Sequence, residues 1–185
     1  MIEEIMMEAE DKMHKCVEAF QGEMANIRTG RATAGMLDVV DVDVYGSRMK
    51  INQLGTINVS DAHMITIDLW DKSQMSVVEK AIVASPLGIT PANDGRVIRL
   101  PIPPLSEERR KELVKVAGKH VEDAKVAIRN VRRHAVDQIK KLQKDGDLPE
   151  DDAHKRTDDV QKLTDKYTHD VDHAFAAKEK DIMEV

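Results

Sequence analysis

Cysteine is almost missing from this sequence: Cys16 is the single thiol in 185 residues. No internal disulfide can form, and neither a CxxC pair nor a clustered thiolate metal site can be built, so the composition fits the reducing cytoplasm. Aromatic residues are scarce as well, at 3%, which argues against an aromatic-cored β-sandwich. No apolar run approaches the roughly 20 residues that span a bilayer, and the acidic start MIEEIMMEAEDK is unlike a basic signal or transit peptide. A soluble, unprocessed chain with no membrane partner is expected. A Gly-rich phosphate loop, a nucleophile elbow and a carboxylate pair with an evident role are also missing. What the sequence has in plenty is charge, 34% of residues against 41% hydrophobic, the balance of long amphipathic helices. The length allows one or two small domains and excludes a large multi-domain enzyme.

The net charge of −6 conceals a strong polarity. Residues 1–30 carry 3 basic and 7 acidic groups, and residues 31–103 carry 7 and 8. From Arg109 to Lys144 there are 12 Lys or Arg against Glu112, Glu122, Asp123 and Asp137, a local net charge of +8, whereas residues 145–185 hold 6 basic and 13 acidic groups. Because fields beyond a Debye length of about 8 Å are largely screened, a polyanion would respond to the local +8 and not to the total.

Apolar residues recur at steps of three and four from Ile2 to Ile27, which predicts a first long helix, with Gly30 past its end as the stop. Ser106, followed by Glu107 and Glu108, predicts a capped start for a second helix running to about Lys144. Gly146 breaks it, and Pro149 stands in the first turn of a third helix striped by Ala153, Val160, Leu163, Tyr167, Val171, Ala174 and Ile182. Three narrow apolar stripes of this kind bury one another as a long three-helix bundle.

Between Arg31 and Pro103 the period shortens. Leu37–Val44, Ser47–Asn52 and His63–Trp70 read as strands, the first two around a turn at Tyr45 and Gly46. Ser73–Ala84 reads as one short helix with Ser73 as N-cap, ended by Pro86. GITPANDG, at 88–95, is turn chemistry, and RVIRLPIP after it returns to an extended strand. The fold class is therefore α+β: a discontinuous bundle of residues 1–30 and 104–185, with a small domain of residues 31–103 inserted. Two chain crossings, at 29–32 and 101–105, make a two-strand hinge that permits rotation.

On a helical wheel of about 100° per residue, Lys111, Lys115, Lys119, Lys125, Arg129, Arg132, Arg133, Lys140 and Lys144 share an arc of roughly 140°, opposite the apolar stripe of the second helix. One reading is an ordinary solvated face. A merely solvating face would interleave acids at i,i+4, yet only Glu122 and Asp137 lie in or beside this arc, so phosphate is the natural complement. Without aromatics on which bases could stack, contacts to the backbone of folded RNA are expected. Cys16 lies in an apolar stripe, as a buried small hydrophobe would. His169 and His173 have the i,i+4 spacing of metal ligands but face away from the apolar stripe without a third ligand, as solvated histidines would.

RTGRA at 28–32, the GITPANDG turn, LPIPPLSEERRKELVK leading into the second helix, RNVRR at 129–133 and the closing AAKEKDIMEV occur in an order and spacing that resemble the ribosome recycling factor family of bacteria and organelles. The likeness covers the whole chain. It implies a tRNA-sized L shape in which the inserted domain is β/α/β, and a protein that acts as a monomer, needs no cofactor and hydrolyses nothing. It implies binding to the post-termination ribosome across the large subunit, and splitting of the subunits with elongation factor G and GTP. Carried onto this sequence, Arg129, Arg132 and Arg133, with Lys125 on the same stripe, are implied ribosomal-RNA contacts, joined by Arg28 and Arg31. Gly30, Pro103 and Pro104 are implied hinge positions, and Thr29 and Leu105, on the same two crossings, are expected to join them. Two other classes stay open on the residues alone: a helical adaptor whose basic face meets an acidic protein, and a metal hydrolase built on His169 and His173.

Overall fold

The computed structural model describes residues 1–184. Two compact units emerge: Met1–Thr29 with the chain from Ser106 onward, and Gly30–Leu105. The first is a three-helix bundle of α1 (Ile2–Asn26), α3 (Glu107–Lys144) and α4 (Glu150–Met183), each helix packed on the other two. In the second, α2 (Met75–Ala84) accompanies six short strands. Among the described residues, no helix is long and apolar enough to cross a membrane.

The bundle follows from its stripes. Ala9, Met13, Val17, Phe20 and Met24 of α1 meet Ala117, Val121, Ala124, Ile128, Ala135 and Ile139 of α3 and Ala153, Val160, Tyr167 and Val171 of α4 in one core. Spacings of three and four keep each set on one face, and the low aromatic content leaves aliphatic side chains to fill it. Ser106 caps α3 by accepting from the Arg109 N–H at 3.1 Å, as the sequence predicts. At the far end Gly146, at φ +77°, donates to the Gln143 carbonyl and Asp147 to the Leu142 carbonyl. This pair of bonds is a Schellman motif, which needs a left-handed residue at that position. Polar pairs tie the helices at the edges: His120 Nδ1 lies 2.7 Å from Glu23, Arg156 pairs with Glu3, and the Tyr167 hydroxyl donates to Glu10.

One helix end departs from the sequence reading. The last helical residue of α1 is Asn26; Ile27 is already extended, with its N–H on the Met24 carbonyl. Gly30 therefore does not cap the helix. Its φ of +77° serves a tight passage, because a Cβ there would stand 2.7 Å from Leu105 Cγ.

In the second unit β1 (Asp41–Val44) and β2 (Ser47–Lys50) form an antiparallel hairpin, turned by Tyr45 and Gly46, both at positive φ. The second sheet has the order β3 (Gly55–Asp61), β4 (Met64–Leu69), β6 (Ile98–Pro101), β5 (Ala92–Asn93), all antiparallel. Val42, Val44, Ile65, Ile67, Leu69, Val78, Ile82, Ile98 and Leu100 build a core of its own. Several predicted bounds shift. Residues 34–39 are a 3-10 helix and not the start of a strand, because Leu37 and Val40 bury at a spacing of three while Val39 stays out. Residues 51–53 are likewise a 3-10 turn, held by Gln53 accepting from the Lys50 N–H. The helical turn before α2 begins at Lys72, and Asp71, not Ser73, is its cap, accepting from the Ser73 N–H. Strand β3 escaped the periodicity because as an edge strand it buries little, and β5 is a two-residue pairing inside the GITPANDG turn.

Candidate nucleic-acid interface

Helix α3 carries its apolar side chains into the bundle, so its opposite face is the one that meets solvent. Lys111, Lys115, Lys119, Arg129, Arg133, Lys140 and Lys144 are all exposed. At the amino-terminal end part of this charge is spent within the helix: Arg109 pairs with Glu112 at 2.9 Å and Lys111 with Glu107 at 3.3 Å. Exposed pairs of that kind contribute little to stability, about 0–1 kcal/mol. Farther along, Arg129 and Arg133 have no hydrogen bond or ion pair among the described residues. Two unpaired guanidinium groups one turn apart on a rigid helix suit adjacent phosphate oxygens, because each planar fork can bond bidentately.

Two members of the predicted stripe lean onto α4. Lys125 is only 21% exposed and pairs with Asp172 at 2.8 Å, so the structure removes it from the unpaired set: its charge is answered within the bundle. Arg132 is half-buried, and its Nη1 donates to Gln161 Oε1 at 3.0 Å. Beside it a groove of about 390 Å³ runs between α3 and α4, lined by Arg132, Arg133, Lys140, Thr157, Asp158 and Gln161 among others.

The remaining predicted residues lie elsewhere. Arg28 is exposed in the stretch after α1, while Arg31 is exposed and belongs to the smaller unit. Thr29 closes the first stretch of the bundle unit. Gly30 and Leu105 bound the smaller unit and touch there, and Pro103 and Pro104 are exposed just before Leu105. Cys16 is half-buried, and burial pushes its thiol pKa up, away from the thiolate a nucleophile needs. His169 and His173 are exposed with ring centroids 6.5 Å apart, and no group of three or more potential ligands is gathered among the described residues.

The sequence reading missed two features. Arg110 is only 9% exposed, and its Nε has no hydrogen-bond partner, although by residue type it counts as one more surface cation. Gln161 and Asp172, the partners supplied by α4, were invisible because a wheel drawn for one helix says nothing of what the next helix brings across.

Comparison with known proteins bears on the whole chain. The sequence model of the family described as Ribosome recycling factor matches residues 20–183. The chain is 53% identical over 185 residues to the ribosome-recycling factor of Symbiobacterium thermophilum, with 100% of both chains covered. It is 50% identical over 185 residues to that of Bacillus subtilis, again with 100% of both covered. Among solved structures, a solution structure of the ribosome recycling factor matches with a TM-score of 0.69 at 42% identity, over 100% of this chain and 98% of that one. A second match, with a TM-score of 0.59 at 37% identity over 99% of each chain, comes from models of the T. thermophilus ribosome recycling factor and the E. coli elongation factor G bound to the E. coli post-termination complex.

Proposed function

The chain belongs to the ribosome recycling factor family, and from that premise we propose that it binds the post-termination ribosome and, with elongation factor G and GTP, splits it into subunits. The observation that carries the reading is the unpaired Arg129 and Arg133, with Arg132 beside them, on one rigid helix of a chain similar throughout to a factor described on that complex. The helix is an anchor. Its arginines hold ribosomal-RNA phosphates of the large subunit, and Arg28 and Arg31 add charge on either side of the chain crossing. The protein itself catalyses no bond cleavage: GTP is hydrolysed by its partner, and the bound bundle gives that partner something to push against. Thr29, Gly30, Pro103, Pro104 and Leu105 form the hinge about which the inserted domain turns. The work is done in the cytoplasm, by a monomer that needs no cofactor.

Light scattering tests this directly. Post-termination ribosomes mixed with the protein, elongation factor G and GTP should lose scattering only when all components are present, as large particles split into smaller ones. Arg132→Ala should weaken ribosome binding by about 1.5–3 kcal/mol, the worth of a charged hydrogen bond, while the bundle stays folded. If about five phosphates are neutralised, log K against log salt should fall with a slope of about −4. Tight binding without splitting would favour an RNA-anchored adaptor instead.

A further inference from the structure

Arg132 differs from its neighbours in being held. Its Nη1 donates to the side-chain carbonyl of Gln161 on α4, and Gln161 Nε2 in turn donates to Asp165 Oδ1 at 2.9 Å, one turn along the same helix. The direction of the amide is settled by its two neighbours: an ionised carboxylate can only accept and a guanidinium can only donate, so Nε2 must face Asp165 and Oε1 must face Arg132. We propose that Gln161 is a positioning residue for Arg132, fixing its guanidinium in one rotamer while leaving its charge and its remaining N–H donors for a nucleic-acid phosphate. The proposal rests on the reading of α3 as the ribosomal-RNA anchor.

The choice of an amide is what gives the arrangement its meaning. On the same helix pair Lys125 is answered by the carboxylate of Asp172, which fixes the cation but also cancels it. A neutral carbonyl takes one of five N–H donors and no charge. Asp165 accepts from the other end of the amide, one turn along α4, so its negative charge orients Gln161 without forming an ion pair with Arg132. Arg129 and Arg133 have no such support and must be ordered when they bind. Immobilising a long side chain on binding costs about 0.5–1.5 kcal/mol, and an arginine ordered beforehand avoids that loss. The groove beside Arg132 is lined by Arg133, Lys140 and Thr157 but also by Asp137 and Asp158, so its charge is mixed and the cations of the anchor stay on α3.

The test is a titration of purified ribosomes at several salt concentrations with four proteins: the parent, Gln161→Met, Gln161→Glu and Arg132→Ala, together with the double variant Gln161→Met/Arg132→Ala. Methionine keeps the length and the helix propensity of glutamine and removes only the acceptor. Gln161→Met should bind roughly two- to tenfold more weakly, as the ordering cost returns, with the salt slope unchanged because no charge is lost. Gln161→Glu should weaken binding and make the slope shallower by about one, because a carboxylate now neutralises Arg132. In the Arg132→Ala background, Gln161→Met should have no further effect. Unchanged affinity of Gln161→Met, or an equal loss in the Arg132→Ala background, overturns the positioning role. An Arg132→Ala protein that binds as tightly as the parent overturns instead the anchor reading on which the proposal stands.

Discussion

Two glycines of this chain predict opposite outcomes for the same substitution. Gly30 has φ +77° and no room for a Cβ, which would stand 2.7 Å from Leu105 Cγ, whereas Gly22 lies inside α1 with nothing within 4 Å. Gly30→Ala should therefore destabilise the smaller unit by about 1–2 kcal/mol from the left-handed backbone alone, and more if Leu105 cannot rotate away. Gly22→Ala should stabilise the bundle by roughly 0.5–1 kcal/mol, as alanine loses less backbone entropy on entering a helix. Urea unfolding of the two variants beside the parent checks both signs. The contrast also shows how far a residue is legible in sequence. Gly30 stands out by its place after a helix, but its task was misread as a helix stop, since the contact that demands glycine comes from a leucine far along the chain. Arg132 could be singled out on a wheel; the Gln161 that holds it could not.

Among the elements, those with long periods were the most legible. Helix α3 starts where predicted, after its serine cap, and α4 starts one residue later than expected, at Glu150 with Pro149 as its N-cap and not in its first turn. The serine, the glycine of the Schellman motif and the proline are all local signals. The short elements of the smaller unit were harder: residues 37–39 read like the start of a strand, and what marks them as 3-10 is the burial of Leu37 and Val40 three apart with the Val40 N–H on the Leu37 carbonyl. Aspartates organise the turns there. Asp94 is held below the usual carboxylate range mainly by the backbone N–H groups of Val97 and Arg96, and Asp71 chiefly by the Ser73 hydroxyl, with help from the Tyr45 hydroxyl. A lowered folded-state pKa means stabilisation that is fully present above the unfolded value of about 3.9 and is lost as pH falls through the folded value. Asp94→Asn should thus be less stable than the parent at neutral pH, and the difference should shrink only in acid, below about pH 3.9. Thermal melts of both proteins across that range, read on the smaller unit, would show it.

For the whole molecule the main facts are two cores that share no residue and a charge distribution that a net value of −6 conceals. The first is open to hydrogen exchange. Ile128→Ala, in the bundle core, and Ile67→Ala, in the other, should each cost about 2–5 kcal/mol. Each should speed amide exchange in its own unit, with the other unit keeping its protection; a uniform rise everywhere would mean that the two unfold together. The structure divides the chain at Gly30 and Leu105, and the sequence marks the neighbourhood of those points by a change in hydrophobic period. The contact between Gly30 and Leu105 also bears on the order of events as the chain is made. Helix α1 is synthesised first, but both of its partners follow the smaller unit. Joining α1 to α3 across a disordered stretch of about 75 residues would cost about 4 kcal/mol of loop-closure entropy. Were the smaller unit to fold first, the closeness of Gly30 and Leu105 would set its two ends side by side and remove most of that cost, making the inserted unit the template on which the interrupted bundle is completed.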